Sequence, residues 1–331
     1  MWAVAGGMLG YSARRMRRSF DSGRVPMMGV MGAFVFAAQM VNFPIPGTGS
    51  SGHLGGGMLL AIMLGPWAAF VVIASILAVQ AALFADGGLL ALGCNIVNMG
   101  LLPCFVAYPL IYLPLAGGKP TGGRIAGAAT AAATAGLVLG ALGVVVQTSL
   151  SGISDLPLGK FVLLMVPIHL AIGLIEGLVT AAVATFIWKA KPEALDLAAP
   201  ADATAGRGGL IGLAVCILLA AAVTGGVMSW FASGDPDGLE WSVANAAGKE
   251  ELSARSDGVH ETLHNVQQRT ALLPDYDFPN KGDAQTAQTT ATINAGTSAS
   301  GLIGGAVTLL IAAAAGLLLR RKQQETAGSS S

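Results

Sequence analysis

Seven stretches of this chain, 25–43, 67–85, 88–115, 125–147, 161–188, 208–231 and 299–319, are almost wholly apolar and long enough to cross a bilayer as helices. In hydrocarbon each backbone N–H and C=O must find its partner within the protein, and about 20 apolar residues do so as a helix. A barrel would be written in alternating strands of about ten residues, much shorter than these runs. Composition agrees: 53% of the residues are hydrophobic, 11% are charged and mean hydropathy is +0.66, where a soluble domain carries roughly a quarter charged residues. The 46 glycines suit helices that approach closely through small residues. The expected fold is therefore an all-α integral membrane protein, multi-pass in the plasma (inner) membrane. A net charge of zero gives no reason to expect nucleic acid as a partner. Cys94, Cys104 and Cys216 fall in apolar spans without Cys-x-x-Cys spacing, so neither disulfides nor a thiolate site is indicated.

Two further apolar pieces, 1–12 and 53–64, are too short to span alone. The first covers only about 18 Å at helical rise. Its positive charges follow it, unlike a signal peptide's, and its brevity creates the expectation of further residues upstream. The second is stopped by Gly65-Pro66 and reads as a half-helix. Before it lies Phe43-Pro-Ile-Pro-Gly-Thr-Gly-Ser-Ser-Gly-His53-Leu-Gly-Gly-Gly57, a Pro/Gly/Ser loop holding one imidazole. Such backbone cannot continue a helix, and at membrane depth it occurs where protein buries it or a cavity wets it. His53 is the evident metal ligand or proton carrier, although a single His often only hydrogen-bonds its own loop.

With the N-terminus outside, 13 Lys and Arg fall on the cytoplasmic side and 5 on the outside, as the positive-inside bias requires. His53, Asp86 and the polar segment 232–298 are then extracytoplasmic, and the C-terminus is cytoplasmic. The run from Lys281 to Ser300, rich in Thr, Ala, Gln and Ser, reads as a flexible tether. Residues 189–207 read as a cytoplasmic linker between a seven-segment core, 1–188, and a two-helix module with an outer loop, 208–331.

Other motifs divide into chemistry and packing. Gly47-Thr-Gly-Ser-Ser-Gly52 fits G-x-G-x-x-G, but lies after Pro44 and Pro46 and not in a βαβ unit, so a dinucleotide site is not expected. No G-x-x-x-x-G-K-[ST] occurs, so an ATPase would be a separate chain. His169 and Glu176 are seven apart, two turns along one helix face. Ionisable groups at that depth are functional candidates; the plainer reading is a His–Glu pair cross-linking helices. Asn95 and Asn98 offer amides at i,i+3, either fastening helices or lining a pocket. Gly6/Gly10, Gly136/Gly140, Gly173/Gly177 and Gly301/Gly305 mark close helix contacts. His260 and His264 read as solvated surface histidines.

The stretch from Val25 to Pro44, Ser51-Gly-His-Leu-Gly-Gly56, Leu64-Gly-Pro-Trp67, Phe84-Ala-Asp-Gly-Gly-Leu-Leu-Ala-Leu-Gly-Cys-Asn95 and His169-Leu-Ala-Ile-Gly-Leu-Ile-Glu176 together resemble the CbiM/NikM substrate-binding subunits of cobalt and nickel energy-coupling factor transporters. Asp235-Pro-Asp-Gly-Leu-Glu240 resembles the PDGLE domain. The resemblance implies a membrane subunit that captures Ni²⁺ or Co²⁺ from outside, without catalytic activity or cofactor of its own. Its implied partners are a transmembrane coupling subunit and cytoplasmic ATPases. It also implies a nitrogen-ligand site made by an N-terminal Met-His segment and the loop histidine, here His53, a donor set that suits Ni²⁺. This chain begins Met1-Trp2 instead, so either this start is internal to a longer chain or other ligands serve, with His169 the first substitute to consider. Asn42, Ser51, Asp86, Asn95, Asn98 and Glu176 are the expected pocket or supporting residues. The rival readings are a permease for an uncharged small organic substrate and an intramembrane enzyme using His169 and Glu176.

Overall fold

The structure is a computed structural model that describes residues 1–19, 24–152, 156–192, 195, 207–248, 258–278 and 294–328. Helix α1 spans Trp2–Ser19, α2 Val25–Gln39, α3 Gly57–Leu64, α4 Pro66–Leu83, α5 Leu92–Ala116, α6 Gly122–Ser151, α7 Leu158–Ala190 and α8 Arg207–Gly226. Three more follow: α9 Gly238–Ala247, α10 Val259–Thr270 and α11 Ala295–Gly328. Helices α4, α5, α6, α7 and α11 (to Leu319) are long and apolar enough to cross a membrane, and Val25–Gln39 and Ile211–Gly226 are shorter apolar helices. All seven expected spans are thus helical, in an all-α membrane fold.

Several boundaries differ from the sequence reading, each for a local reason. The first piece does not stop at residue 12; α1 runs on through its Arg-rich end to Ser19. The span expected from residue 88 begins at Leu92, because Ala85, Gly87 and Gly88 take positive φ and hold 84–91 in turns. Within α5 the hydrogen bonds widen to i→i+5 over Ile96–Leu101 and Pro103–Tyr112; Pro103 and Pro109 each remove a donor from the ladder there. The tether expected over 281–300 is shortened, since α11 is helical from Ala295; residues 279–293 lie outside the described residues. Most of the linker 189–207 also lies outside them.

Helix α3 is the centre of the bundle. All eight of its residues are buried, as expected of a helix apolar on every side. It touches α2, α4, α5, α6 and α7. Its start is fixed sterically: Gly56 has φ +76° with Val35 against the position of any Cβ, and the backbone carbonyl of Met99 closes on Gly57 in the same way. Helices α6 and α7 form the most extensive pair. There Thr134 Oγ1 bonds the Gly173 carbonyl at 3.0 Å and Thr130 Oγ1 the Gly177 carbonyl at 3.3 Å.

The two C-terminal helices are packed on the rest of the bundle. Helices α8 and α11 lie on α2, with Gly225 meeting Gly301 and Gly304 meeting the ring of Phe36. Small-residue pairing holds at Gly136/Gly140, Gly173/Gly177 and Gly301. It fails at Gly6 and Gly10, which face no neighbour within 4 Å among the described residues.

The loop before α3 is not irregular throughout. Phe43–Ile45 (β1) and Ser50–Gly52 (β2) pair antiparallel, with Pro44 opposite Ser51. Pro44 has no N–H, so that pair exchanges no ladder bond and the N–H of Ser51 turns outward. It donates to the carbonyl of Pro236 at 2.8 Å. Ser51 Oγ bonds the Asp235 carbonyl at 2.8 Å, and the Ser233 N–H bonds the Asn42 carbonyl at 2.8 Å. Residues 233–237, in the expected outer segment, are therefore seated along the edge of the hairpin, with α9 lying on α7.

Candidate metal site

A cavity of about 710 Å³ opens between this hairpin, α3 to α7 and the outer segment; His53, His169, Asn42, Asp86, Asn95, Asn98 and Glu176 all line it. Ser51, the remaining expected pocket residue, is fully buried and holds the outer segment. His260 and His264 sit apart on the partly exposed helix α10.

His53 is half-buried, and its Nδ1 faces the Leu54 carbonyl at 3.1 Å. A carbonyl only accepts, so Nδ1 carries a hydrogen, and in the neutral ring the lone pair is then on Nε2. His169 repeats the arrangement with the Met165 carbonyl at 2.8 Å. Each ring is thus prepared to offer one neutral nitrogen to a metal ion. Among the described residues no group of three or more His, Cys, Asp and Glu is placed to hold a metal.

His169 and Glu176 are not a cross-linking pair. The Glu176 carboxylate is buried and accepts the N–H groups of Gly55 at 2.9 Å and Gly56 at 3.0 Å. Gly56 is the N-cap of α3. Burying a carboxyl group without partners is costly, and here both of its oxygens accept backbone N–H groups at the N-terminal end of a helix. The Gly55 carbonyl accepts from Gln39 Nε2 at 2.8 Å, and Gln39 Oε1 accepts from Gln80 Nε2 at 2.9 Å. The backbone two residues beyond His53 is therefore held from both sides. Asn98 exchanges two hydrogen bonds with Gln147, at 3.1 and 2.8 Å, tying α5 to α6. Asn95 instead reaches the Gly87 carbonyl at 3.3 Å.

The cavity mouth is acidic. Asp86, Asp235, Asp237, Glu240 and Asp275 line it, a sign of charge that concentrates cations. Asp237 caps α9 through Leu239 N–H (2.7 Å) and Glu240 N–H (2.8 Å), in a capping box closed by Glu240. Burial and the Asp237 charge push the Glu240 carboxyl above its usual range.

Gln39, Gln80, Gln147 and Tyr276 escaped the sequence reading. The available signal was an amide inside an apolar span, where every polar side chain needs a partner. Tyr276 carried no such signal.

Residues 1–194 match the family profile described as a cobalt uptake substrate-specific transmembrane region, and residues 212–321 match the PDGLE domain. A putative fused nickel transport protein NikMN of Archaeoglobus fulgidus is 31% identical over 303 residues, 91% of this chain and 88% of that protein. A cobalt transport protein CbiM of Sorangium cellulosum is 34% identical over 55% of this chain and 81% of its own length. A crystal structure of a transition metal transporter superposes with a TM-score of 0.50 at 31% identity, covering 57% of this chain and 86% of that one.

Proposed function

Because this chain belongs to the CbiM family of cobalt uptake transmembrane proteins and continues into a PDGLE domain, we propose that it is the substrate-binding subunit of an ATP-driven energy-coupling factor importer for Ni²⁺ or Co²⁺. The metal is cargo. It enters from the extracytoplasmic face, where the hairpin and residues 232–298 lie, and is taken by His53 Nε2. His169 is the second imidazole of the cavity and Glu176 supports the loop. The N-terminus faces outward and the C-terminus the cytoplasm. A transmembrane coupling subunit and ATPase subunits supply the energy.

One observation carries this reading. An imidazole with its Nδ1 committed to a carbonyl stands in a loop gripped by a buried carboxylate, over a cavity whose mouth is lined by carboxylates. Late first-row divalent metals favour neutral nitrogen donors. The cavity volume would also admit a small organic ligand, but an acidic mouth suits a cation better than an uncharged substrate.

The test is reconstitution of the full chain with its coupling and ATPase subunits in liposomes. ATP-dependent accumulation of radiolabelled nickel or cobalt, lost in His53→Ala, is the expected result. Accumulation that ignores ATP or survives His53→Ala would reject the assignment.

A further inference from the structure

We propose that the C-terminal end of helix α1 holds the headgroup of an anionic phospholipid, gripped by Arg14, Arg17 and Arg18. The proposal is independent of the metal reading and requires only that the bundle sits in a bilayer.

Helix α1 stays helical through Arg14-Arg15-Met16-Arg17-Arg18-Ser19. At about 100° per residue the four arginines share one half of the helix. Met16 and Ser12, both buried, lie on the other half against the bundle. Arg14 and Arg18 are four apart and Arg14 and Arg17 three apart, spacings at which like charges weaken a helix. A helix C-terminus favours cations, but its dipole amounts to about half a charge, far less than four guanidinium groups. Arg15 is accounted for within the protein. Its Nε donates to the Tyr11 hydroxyl at 3.0 Å, and its guanidinium lies 5.3 and 5.8 Å from the ring centroids of Tyr11 and Trp67. Arg17 differs: its Nε is buried with no acceptor among the described residues, a costly state for a charged donor. The acidic side chains that the structure describes all lie at the cavity or in the outer segment; Asp21 lies outside the described residues. The end of α1 therefore presents a positive face, opposite its packed side, that calls for a counter-charge.

A lipid headgroup suits this place better than a soluble partner. Toward the N-terminus the same face of α1 continues as Ala3, Gly7 and Gly10, all exposed, so it is presented to hydrocarbon. Tyr11 and Trp67 meet edge to face at 5.3 Å, one turn before Arg15, and Tyr and Trp are the residues enriched at headgroup level. Arginines at the end of a membrane helix reach for the interface, and their planar donor pairs match phosphate oxygens. A basic run directly after an apolar helix gathers anionic lipid in particular, because the ammonium of a zwitterionic headgroup offsets the attraction of its phosphate.

The experiment uses the full chain in neutral detergent without added metal. Bound lipid is counted by native mass spectrometry during titration with phosphatidylglycerol or phosphatidylcholine of the same acyl chains, and thermal unfolding is followed alongside. Inorganic phosphate at the same concentration forms a third arm. The wild type should hold phosphatidylglycerol about tenfold more tightly than phosphatidylcholine, unfold at a higher temperature with it, and ignore free phosphate. Arg14→Gln/Arg18→Gln should lose that preference and unfold as the wild type does without lipid. Arg18→Gln alone, the milder change, should lose about threefold. Lys189→Gln/Lys191→Gln removes the same charge at the end of α7 and should leave the preference intact. Equal retention of the two lipids, a preference that survives either arginine variant, an equal loss in the lysine variant, or protection by free phosphate would each overturn the proposal. A preference that survives Arg14→Gln/Arg18→Gln while that variant no longer binds the coupling subunit would give the face to a protein partner instead.

Discussion

The backbone N–H of Ser51 donates to the carbonyl oxygen of Pro236 across 2.8 Å, so the strand that leads into His53 is completed by a segment from the last third of the chain. Gly238 follows closely, and a Cβ there would lie 2.5 Å from Ile168 Cγ2 and 3.0 Å from Ile172 Cδ1. Gly238→Val should therefore lift the outer segment from α7. The expected outcome is slower metal uptake in the assembled transporter and faster exchange of the Ser51 amide. A variant with wild-type uptake rate and an unchanged Ser51 amide would show that seating this segment has no bearing on transport.

His53→Ala should abolish high-affinity Ni²⁺ binding and leave thermal unfolding nearly unchanged, because the half-buried ring bonds only within its own loop. His169→Ala should reduce binding less. Calorimetric titration with Ni²⁺ checks both, and equal affinities for wild type and His53→Ala would remove His53 from the site.

Glu176→Gln replaces one accepting oxygen by an NH₂ group facing a backbone N–H. One of the two glycine donors is then buried without a partner, a loss of about 1–3 kcal/mol. A lower midpoint of thermal unfolding, together with weaker Ni²⁺ binding, is expected. Wild-type stability would mean that the carboxylate does not cap α3.

Asn98 and Gln147 satisfy each other in the bundle interior. Gln147→Leu strands the Asn98 amide and should destabilise the protein, whereas Asn98→Leu/Gln147→Leu should recover part of the loss. A double-mutant cycle on unfolding free energies measures this coupling, and strictly additive losses would deny it.

The Tyr276 hydroxyl is held well above the usual phenol range, by burial first and then by the charge and hydrogen bond of Asp86. A raised folded-state pKa means that the folded protein keeps a proton the unfolded chain gives up. The stabilisation is complete below the unfolded phenol pKa of about 10 and declines as pH rises past it toward the folded value. Thermal unfolding between pH 8 and pH 11 should show this decline, and Tyr276→Phe should flatten it. An equal alkaline loss in both proteins would place the titrating group elsewhere.

The spans were legible because about 20 apolar residues admit one solution in lipid, and the break at Gly65-Pro66 marked the end of the half-helix correctly. The hairpin was hidden: Pro44, Pro46 and three glycines look like unstructured loop, and strands of three residues have no readable period. His53 stood out by its setting, and Glu176 by its charge at depth. The partner of Glu176 was not legible, because the N–H groups of Gly55 and Gly56 carry no side-chain signal and lie 121 and 120 residues away. The Gly6/Gly10 pair shows the converse, a spacing that looks like a helix contact but meets nothing among the described residues.

Ser51 and Asp235 are joined by a hydrogen bond across 184 positions, and that separation is also an interval of time. At about 5–20 residues per second, the ribosome needs roughly 10–40 s to travel from one to the other. Throughout that interval the hairpin beside His53 has an open edge and α2 lacks the helix that later covers Gly29 and Phe36. The loop that carries His53 is thus made well before the segment that encloses it.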